Sequence, residues 1–290
     1  MRAGVKVRLA TPPLLMTMRP KQWVKNLLVF TAPLAAGNLF HGNTLSRTLI
    51  AFVAFSFASS VGYIINDVKD IERDRGNPKK SGRPLASGRI STRQAMGVLV
   101  LCAAIGIVAA SALSLSFQIA LLCYLALTLS YSLGLKHQPV IELLIVALGF
   151  VMRAIGGGLA TNTPISKWFL VVTTFGSLVI VTAKRLAEAE SLVNVDVRPV
   201  IREYPLPFLR FVLAVSASVT LTGYSLWAFE LPEPRPYAQI SLLPVCLALF
   251  RYVWLVEKGE GEIPEDLLLH DVTLVASGIA TAILLFFSVY

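Results

Sequence analysis

The chain has 290 residues, 55% of them hydrophobic and only 15% charged, with a mean hydropathy of +0.69 and a formal net charge of +9. Soluble domains carry roughly 25% charged residues, so this balance excludes an ordinary soluble globule and fits a multi-pass membrane protein. The positive charge does not point to nucleic acid, because no soluble basic domain or aromatic-rich RNA motif carries it.

The N-terminal segment 1–22 lacks a long apolar core and a small-residue cleavage pattern, so it reads as a cytoplasmic segment rather than a signal peptide. Nine mainly apolar stretches of about 20 residues follow. They lie at roughly 23–41, 47–66, 93–112, 116–134, 139–160, 166–188, 206–229, 238–256 and 269–289. The expectation is an all-α, single-domain protein with nine transmembrane helices. Cys102, Cys123 and Cys246 all fall inside apolar runs, which argues against a disulfide framework. With the N-terminus inside, Arg47, Lys167 and Arg235 are the only basic residues in the outer connections, and Arg153 is left within a span. The rest of the 26 Lys and Arg residues collect on the cytoplasmic side. That asymmetry sets the orientation in a bacterial inner membrane and places the C-terminus outside.

The chemically suggestive residues share the cytoplasmic side. At the end of the second span stands "NDVKDIERD", residues 66–74. On a continuous helix, Asn66, Asp67, Asp70 and Asp74 fall within about 100° of arc while Glu72 points away. Three carboxylates on one face repel unless a cation sits among them, and an all-oxygen set suits Mg²⁺ bridging to phosphates. The alternative is a solvated loop whose acids pair with Lys69 and Arg73. The next stretch, "NPKKSGRPLASGRI", sets Lys79, Lys80, Arg83 and Arg89 around Gly82 and Gly88. Arginine forks fit phosphate oxygens and glycines allow close backbone approach, so acids and bases together describe a diphosphate site.

With these residues in view, the chain resembles the UbiA-type intramembrane prenyltransferases, whose NDxxDxxxD signature "NDVKDIERD" matches. "MRPKQWVKNLLVFTAPL", "YSLGLKHQPVIELLIVALGFVMRAIGGGLA" and "FGSLVIVTAKRLAE" are similar to the decaprenyl-phosphate phosphoribosyltransferase branch, with motifs in register from about residue 18 to 190. The resemblance implies a nine-helix bundle with a cytoplasm-facing polar cavity. It also implies transfer of 5-phosphoribosyl from phosphoribosyl diphosphate (PRPP) to a polyprenyl phosphate, releasing diphosphate for envelope arabinan or a related glycolipid. Mg²⁺ would be held by Asp67, Asp70 and Asp74 with help from Asn66. Lys25 and Asn26 would border the cavity, and Tyr131 and Lys136 close the fourth span on the same side.

The aromatic prenyltransferases of this superfamily carry a second acidic motif, and here the chain departs from it. "AKRLAEAE" offers Lys184, Arg185 and Glu188 instead. Two bases in place of acids favour anionic groups over a second metal centre. A plain ion pair between Lys184 and Glu188 at i, i+4 is the alternative. Arg153 lies inside a span, on the same helical face as Glu142, and serves either an internal pairing with another helix or a substrate phosphate. Gly156, Gly157 and Gly158 suit close helix packing. His41, His137 and His270 show no metal-ligand spacing. Two rival functions remain in view: a prenyltransferase with an aromatic acceptor, which the missing acidic motif disfavours, and a secondary transporter for an anionic solute. A transporter often shows internal repeats and midplane polar residues, whereas these polar groups gather at one face. The expected partners are PRPP, the lipid phosphate and membrane lipids. Homo-oligomerisation stays open.

Overall fold

The computed structural model describes residues 12–78, 80–190, 199–231, 236–260 and 264–290. Among these residues every regular element is helical. Short α1 (Pro13–Thr17) leads into a 3-10 helix, Pro20–Phe30, and then α2 (Thr31–Ala35). The long helices begin with α3 (Thr44–Lys69), which short α4 (Ile71–Arg75) follows. Next come α5 (Thr92–Ser111), α6 (Leu115–Leu133), α7 (Ile141–Thr161), α8 (Lys167–Glu190) and α9 (Leu206–Phe229). Short α10 (Pro236–Ile240) runs into α11 (Leu242–Glu257), and short α12 (Pro264–His270) precedes α13 (Val272–Val289).

Among the described residues, eight helical spans are long and apolar enough to cross a membrane, α10 and α11 counting as one. They coincide with eight of the nine stretches expected from hydropathy. The exception is 23–41, where the chain forms the 3-10 helix and α2 instead of one long α-helix. A 3-10 run of eleven residues is unusual, because runs beyond three or four are uncommon. Packing against α7 explains why it is tolerated here. A Cβ on Gly157 would lie 1.8 Å from the Val29 carbonyl oxygen, so only glycine lets α7 approach that backbone. Gly156 does the same for the Phe55 ring, and Gly158 for Ile165.

Local sequence sets the helix starts. Ser91 and Gln94 form a capping box on α5, Ser114 caps α6 through the Phe117 amide, and Asp271 caps α13 through the Leu274 amide. Side chains such as Val100, Ile107, Val108, Leu122 and Leu243 remain exposed on the outer faces, as expected where lipid replaces water. Inside, α3 packs on α5, α6 on α7, α7 on α8, α8 on α9, and α11 on α13. One buried cluster centres on Phe55, Phe117 and Tyr124, another on Leu186, Leu209 and Val256. The three cysteines are free. This arrangement brings the ends of α3 and α6, the starts of α5 and α7, and Arg19 to one end of the bundle.

Candidate active site

The α3 helix does not run on through the acidic signature. Asp70, at φ −99° and ψ 13°, breaks it and serves as C-cap of α3 and N-cap of α4. The single face drawn for a continuous helix is therefore divided. Asp67 and Asp74 converge on Arg83, whose Nη1 donates to Asp67 Oδ1 at 3.1 Å and to Asp74 Oδ2 at 2.6 Å. Asp67 also accepts from Arg19 Nη2. Asp70 turns to Lys136, whose Nζ lies 2.7 and 3.0 Å from its two oxygens and 3.4 Å from Asn66 Oδ1. Glu72 points out to solvent and pairs with Arg75. Lys69 is not a partner of these acids. It donates to the carbonyl oxygens of Ser132 and Leu133, tying the end of α3 to that of α6.

These groups enclose a polar cavity of about 170 Å³. Five bases line it, Arg19, Arg73, Lys80, Arg83 and Lys136, against the acids Asp70 and Asp74. Tyr63, Asn66, Thr128, Tyr131, Ser132 and His137 supply the rest of the polar wall. Small-molecule sites usually measure about 300–1,000 Å³. This cavity is smaller, and the Arg83 and Lys136 ion pairs stand in its wall. Burial, then the neighbouring Lys136 and Arg73, hold the His137 imidazole below its ordinary value.

The donor chemistry fits a hard cation. Arg83 Nη1 already occupies a position between two carboxylates from different helices, within 3.1 Å of both. Mg²⁺ commonly takes only one or two carboxylates, completing its shell with water and phosphate oxygens. Among the described residues no three acidic, His or Cys side chains converge on a point as a closed ligand set.

Of the candidates drawn from sequence, Asn66, Asp70, Asp74, Arg83, Tyr131 and Lys136 line this cavity, and Asp67 touches it through Arg19 and Arg83. Arg89 lies outside it, donating to the Gly82 carbonyl and to Ser87, and so folds the loop that carries Arg83. Lys79 lies outside the described residues. Lys25 is half-buried on the 3-10 helix and is not part of the wall.

Three further candidates belong to the interior. Arg153 is buried and donates to Asn26 Oδ1, the Gly149 carbonyl and the Tyr124 hydroxyl. Asn26 in turn donates to Ser56, which pins the 3-10 helix against α3. Arg185 is also buried. It donates to both oxygens of Glu142, at 2.7 and 2.9 Å, and to Glu188 at 2.8 Å. Glu142 and Arg153 share a helical face but stand eleven residues apart, about 16 Å along the axis, and so engage different partners. Lys184 and Glu188 are half-buried on α8 and do not line the cavity.

Sequence reasoning passed over Arg19, Tyr63, Arg73 and His137 as cavity residues, whereas Lys80, one of the bases it set beside the acids, does line the wall. Arg19 had one available signal: it directly precedes the proline that opens the 3-10 helix. It adopts a left-handed conformation, φ 54° and ψ 58°, which turns its guanidinium over Tyr63 toward Asp67. A larger cavity of about 290 Å³ lies at the other end of the bundle among α2, α8, α9 and α13. It is apolar, with Trp168, Phe169 and Trp227 in its wall and no charged side chain among the described residues that line it.

The family model described as the UbiA prenyltransferase family matches residues 27–287. The chain is 38% identical to a decaprenyl-phosphate phosphoribosyltransferase of Corynebacterium glutamicum, over 94% of this chain and 85% of that protein. It is 40% identical to the protein of the same name from Mycobacterium tuberculosis, over 88% of this chain and 86% of that one. A solved UbiA homologue from Archaeoglobus fulgidus, bound to DMAPP and Mg²⁺, superposes with a TM-score of 0.71 at 19% identity. That likeness covers 95% of this chain and 97% of that one and concerns the fold. A matching model over most of the length, close relatives at this identity and the shared helical fold lead to one conclusion: the chain is a multi-pass membrane transferase that belongs to the UbiA prenyltransferase family.

Proposed function

We propose that the protein transfers 5-phosphoribosyl from PRPP to a polyprenyl phosphate, with release of diphosphate, at the polar cavity between α3, α4, α6 and Arg19. The observation that carries this reading is the charge of the wall, five bases against three acids once Asp67, paired with Arg19 and Arg83, is counted. A prenyl diphosphate with a neutral aromatic acceptor brings a single diphosphate. PRPP and a lipid phosphate together bring a diphosphate and two monophosphates, which an excess of bases suits. The curated relatives from Corynebacterium and Mycobacterium carry the corresponding name.

Asp67 and Asp74 would hold Mg²⁺, with Asp70 and Asn66 beside them. When bound, the ion neutralises charge developing on the departing diphosphate. Arg83 and Lys136, now engaged with carboxylates, would turn to phosphate oxygens as substrate enters and the cavity opens. Arg19 and Lys80 stand on the same wall for the remaining phosphate. The lipid phosphate, already an anion, attacks ribose C1 as the bond from C1 to the diphosphate oxygen breaks, with inversion. No strong base is required, and Tyr131 would contribute its hydroxyl from the wall. The lipid tail leaves sideways between apolar helices.

The same reading makes the chain one domain and counts nine crossings. Eleven 3-10 residues rise about 22 Å, and the five of α2 add about 7 Å, so together they approach the roughly 30 Å hydrocarbon core. The asymmetry of basic residues then puts the cavity on the cytoplasmic side. A single cysteine at residue 80 should react with a cytoplasm-side reagent only, and labelling from outside intact cells would overturn the orientation.

The decisive assay uses purified protein, labelled PRPP and polyprenyl phosphate, with and without Mg²⁺. Formation of a labelled lipid that requires the metal supports the reading. Transfer from prenyl diphosphate to an aromatic acceptor, with none from PRPP, would replace it.

A further inference from the structure

The strand of chain that delivers Lys136 to the cavity ends in a strained turn. Ile141 donates its amide proton to the Pro139 carbonyl at 2.7 Å, and Val140 between them has φ 67° and ψ −50°. This is a γ-turn of the rare, strained kind, and a β-branched residue at positive φ is a true outlier. Side-chain burial does not hold it there, since Val140 is 44% exposed. Strain of this sort persists only where surrounding structure over-determines it.

Tyr204 supplies that determination from a distant part of the chain. Its hydroxyl accepts from the Val140 amide at 2.6 Å and donates to Glu142 Oε1 at 3.4 Å. The Tyr204 ring is 6% exposed and stacks on Phe208. Glu142, fully buried, is fixed in turn by the two hydrogen bonds from Arg185. Burial pushes the phenol up to about 12, so it stays a neutral hydroxyl that can both accept and donate. The Glu142–Arg185 pair is thus a fixed base, the Tyr204 hydroxyl its extension, and the Val140 turn the part it holds. Four residues before that turn, Lys136 reaches Asp70 and Asn66.

We infer that Tyr204 is a positioning residue for the substrate cavity, its hydroxyl latching the Val140 γ-turn so that Lys136 and His137 are held at the wall. The inference rests on the proposed reading that phosphates bind at this cavity.

Tyr204→Phe removes the hydroxyl and keeps the ring. Hydrogen–deuterium exchange of full-length protein should then speed up over 134–141, while exchange in α5 and α9 stays as in wild type. In the labelled-PRPP assay, KM for PRPP should rise about 3- to 10-fold, the loss expected for one hydrogen bond, with kcat changing less. Adding Val140→Gly should reverse both effects, because glycine adopts positive φ without the steric cost and no longer needs the latch. A merely structural Tyr204 would give an uncompensated loss of thermal stability that Val140→Gly does not repair. That outcome, or wild-type exchange over 134–141 in Tyr204→Phe, would overturn the inference. If wild-type protein transfers nothing from PRPP, the functional reading fails, and the exchange measurements alone decide whether Tyr204 is the latch.

Discussion

Replacing Arg185 by methionine separates two roles for a base on α8, a substrate contact and a structural one. Arg185 makes three charge-assisted hydrogen bonds, two to Glu142 and one to Glu188. Its side chain is 4% exposed and that of Glu142 is 0% exposed. Methionine fills a similar volume but, among the described residues, leaves Glu142 with only the 3.4 Å contact from Tyr204. Breaking one side of a buried pair costs about 3–5 kcal/mol, because the remaining carboxylate stays desolvated. That is a large part of the about 5–15 kcal/mol by which a domain is stable. Glu188 is 24% exposed and can return to water, so it adds little to the penalty. Arg185→Met should therefore unfold at markedly lower denaturant in detergent. The double variant Glu142→Met/Arg185→Met, with no charge left behind, should recover most of the loss. Unfolding of both variants, followed by helical circular dichroism beside kcat/KM for PRPP, decides the matter. Unchanged stability in Arg185→Met, joined to a 10- to 100-fold rise in KM that the double variant does not relieve, would refute the reasoning and return Arg185 to the substrate site.

Chelation should abolish turnover, and Asp74→Asn or Asp70→Asn should lower kcat/KM by at least about 10²-fold, the scale of losing about 3 kcal/mol of leaving-group stabilisation. Glu72→Gln, on an exposed side chain, should stay near wild type, and an equal loss there would contradict the assignment. Arg19→Ala should raise KM for PRPP about 10-fold while Arg19→Lys restores part of it, since a charged contact to phosphate is worth about 1.5–3 kcal/mol; an unchanged KM would remove Arg19 from the wall. His137 titrates below its ordinary 6.5, so an unfolded chain takes up that proton first as pH falls. The stability its neutral ring contributes is complete above about pH 6.5 and is lost as pH drops through the folded value. His137→Gln should flatten the stability profile just below about pH 6.5, and an unaltered slope would count against the shift. Gly157→Ala should destabilise the protein by about 1–3 kcal/mol, because its Cβ would meet the rigid Val29 carbonyl, which would have to move; wild-type melting would show that the 3-10 helix yields freely.

Much of the fold is legible in the chain because transfer into lipid is additive along a segment. Eight long apolar runs report themselves as helices whatever their neighbours are. The acidic signature and the bases after it are legible for a related reason: charge beside a membrane span is costly or functional, so its clustering is informative by itself. The same additivity misleads at 23–41. Hydropathy registers an apolar stretch, but the close approach of Gly157 to Val29 accompanies a 3-10 path that no propensity along 20–30 announces. Tertiary structure alone decides which buried charges meet. Arg185 meets Glu142 across 43 residues, Arg153 meets Asn26 and Tyr124, and Arg19 turns to Asp67. A buried charge takes whichever partner packing brings within about 3 Å, and that distance depends on how helix ends are set against one another. Periodicity along one helix gives the direction in which a side chain points but not what stands there to receive it.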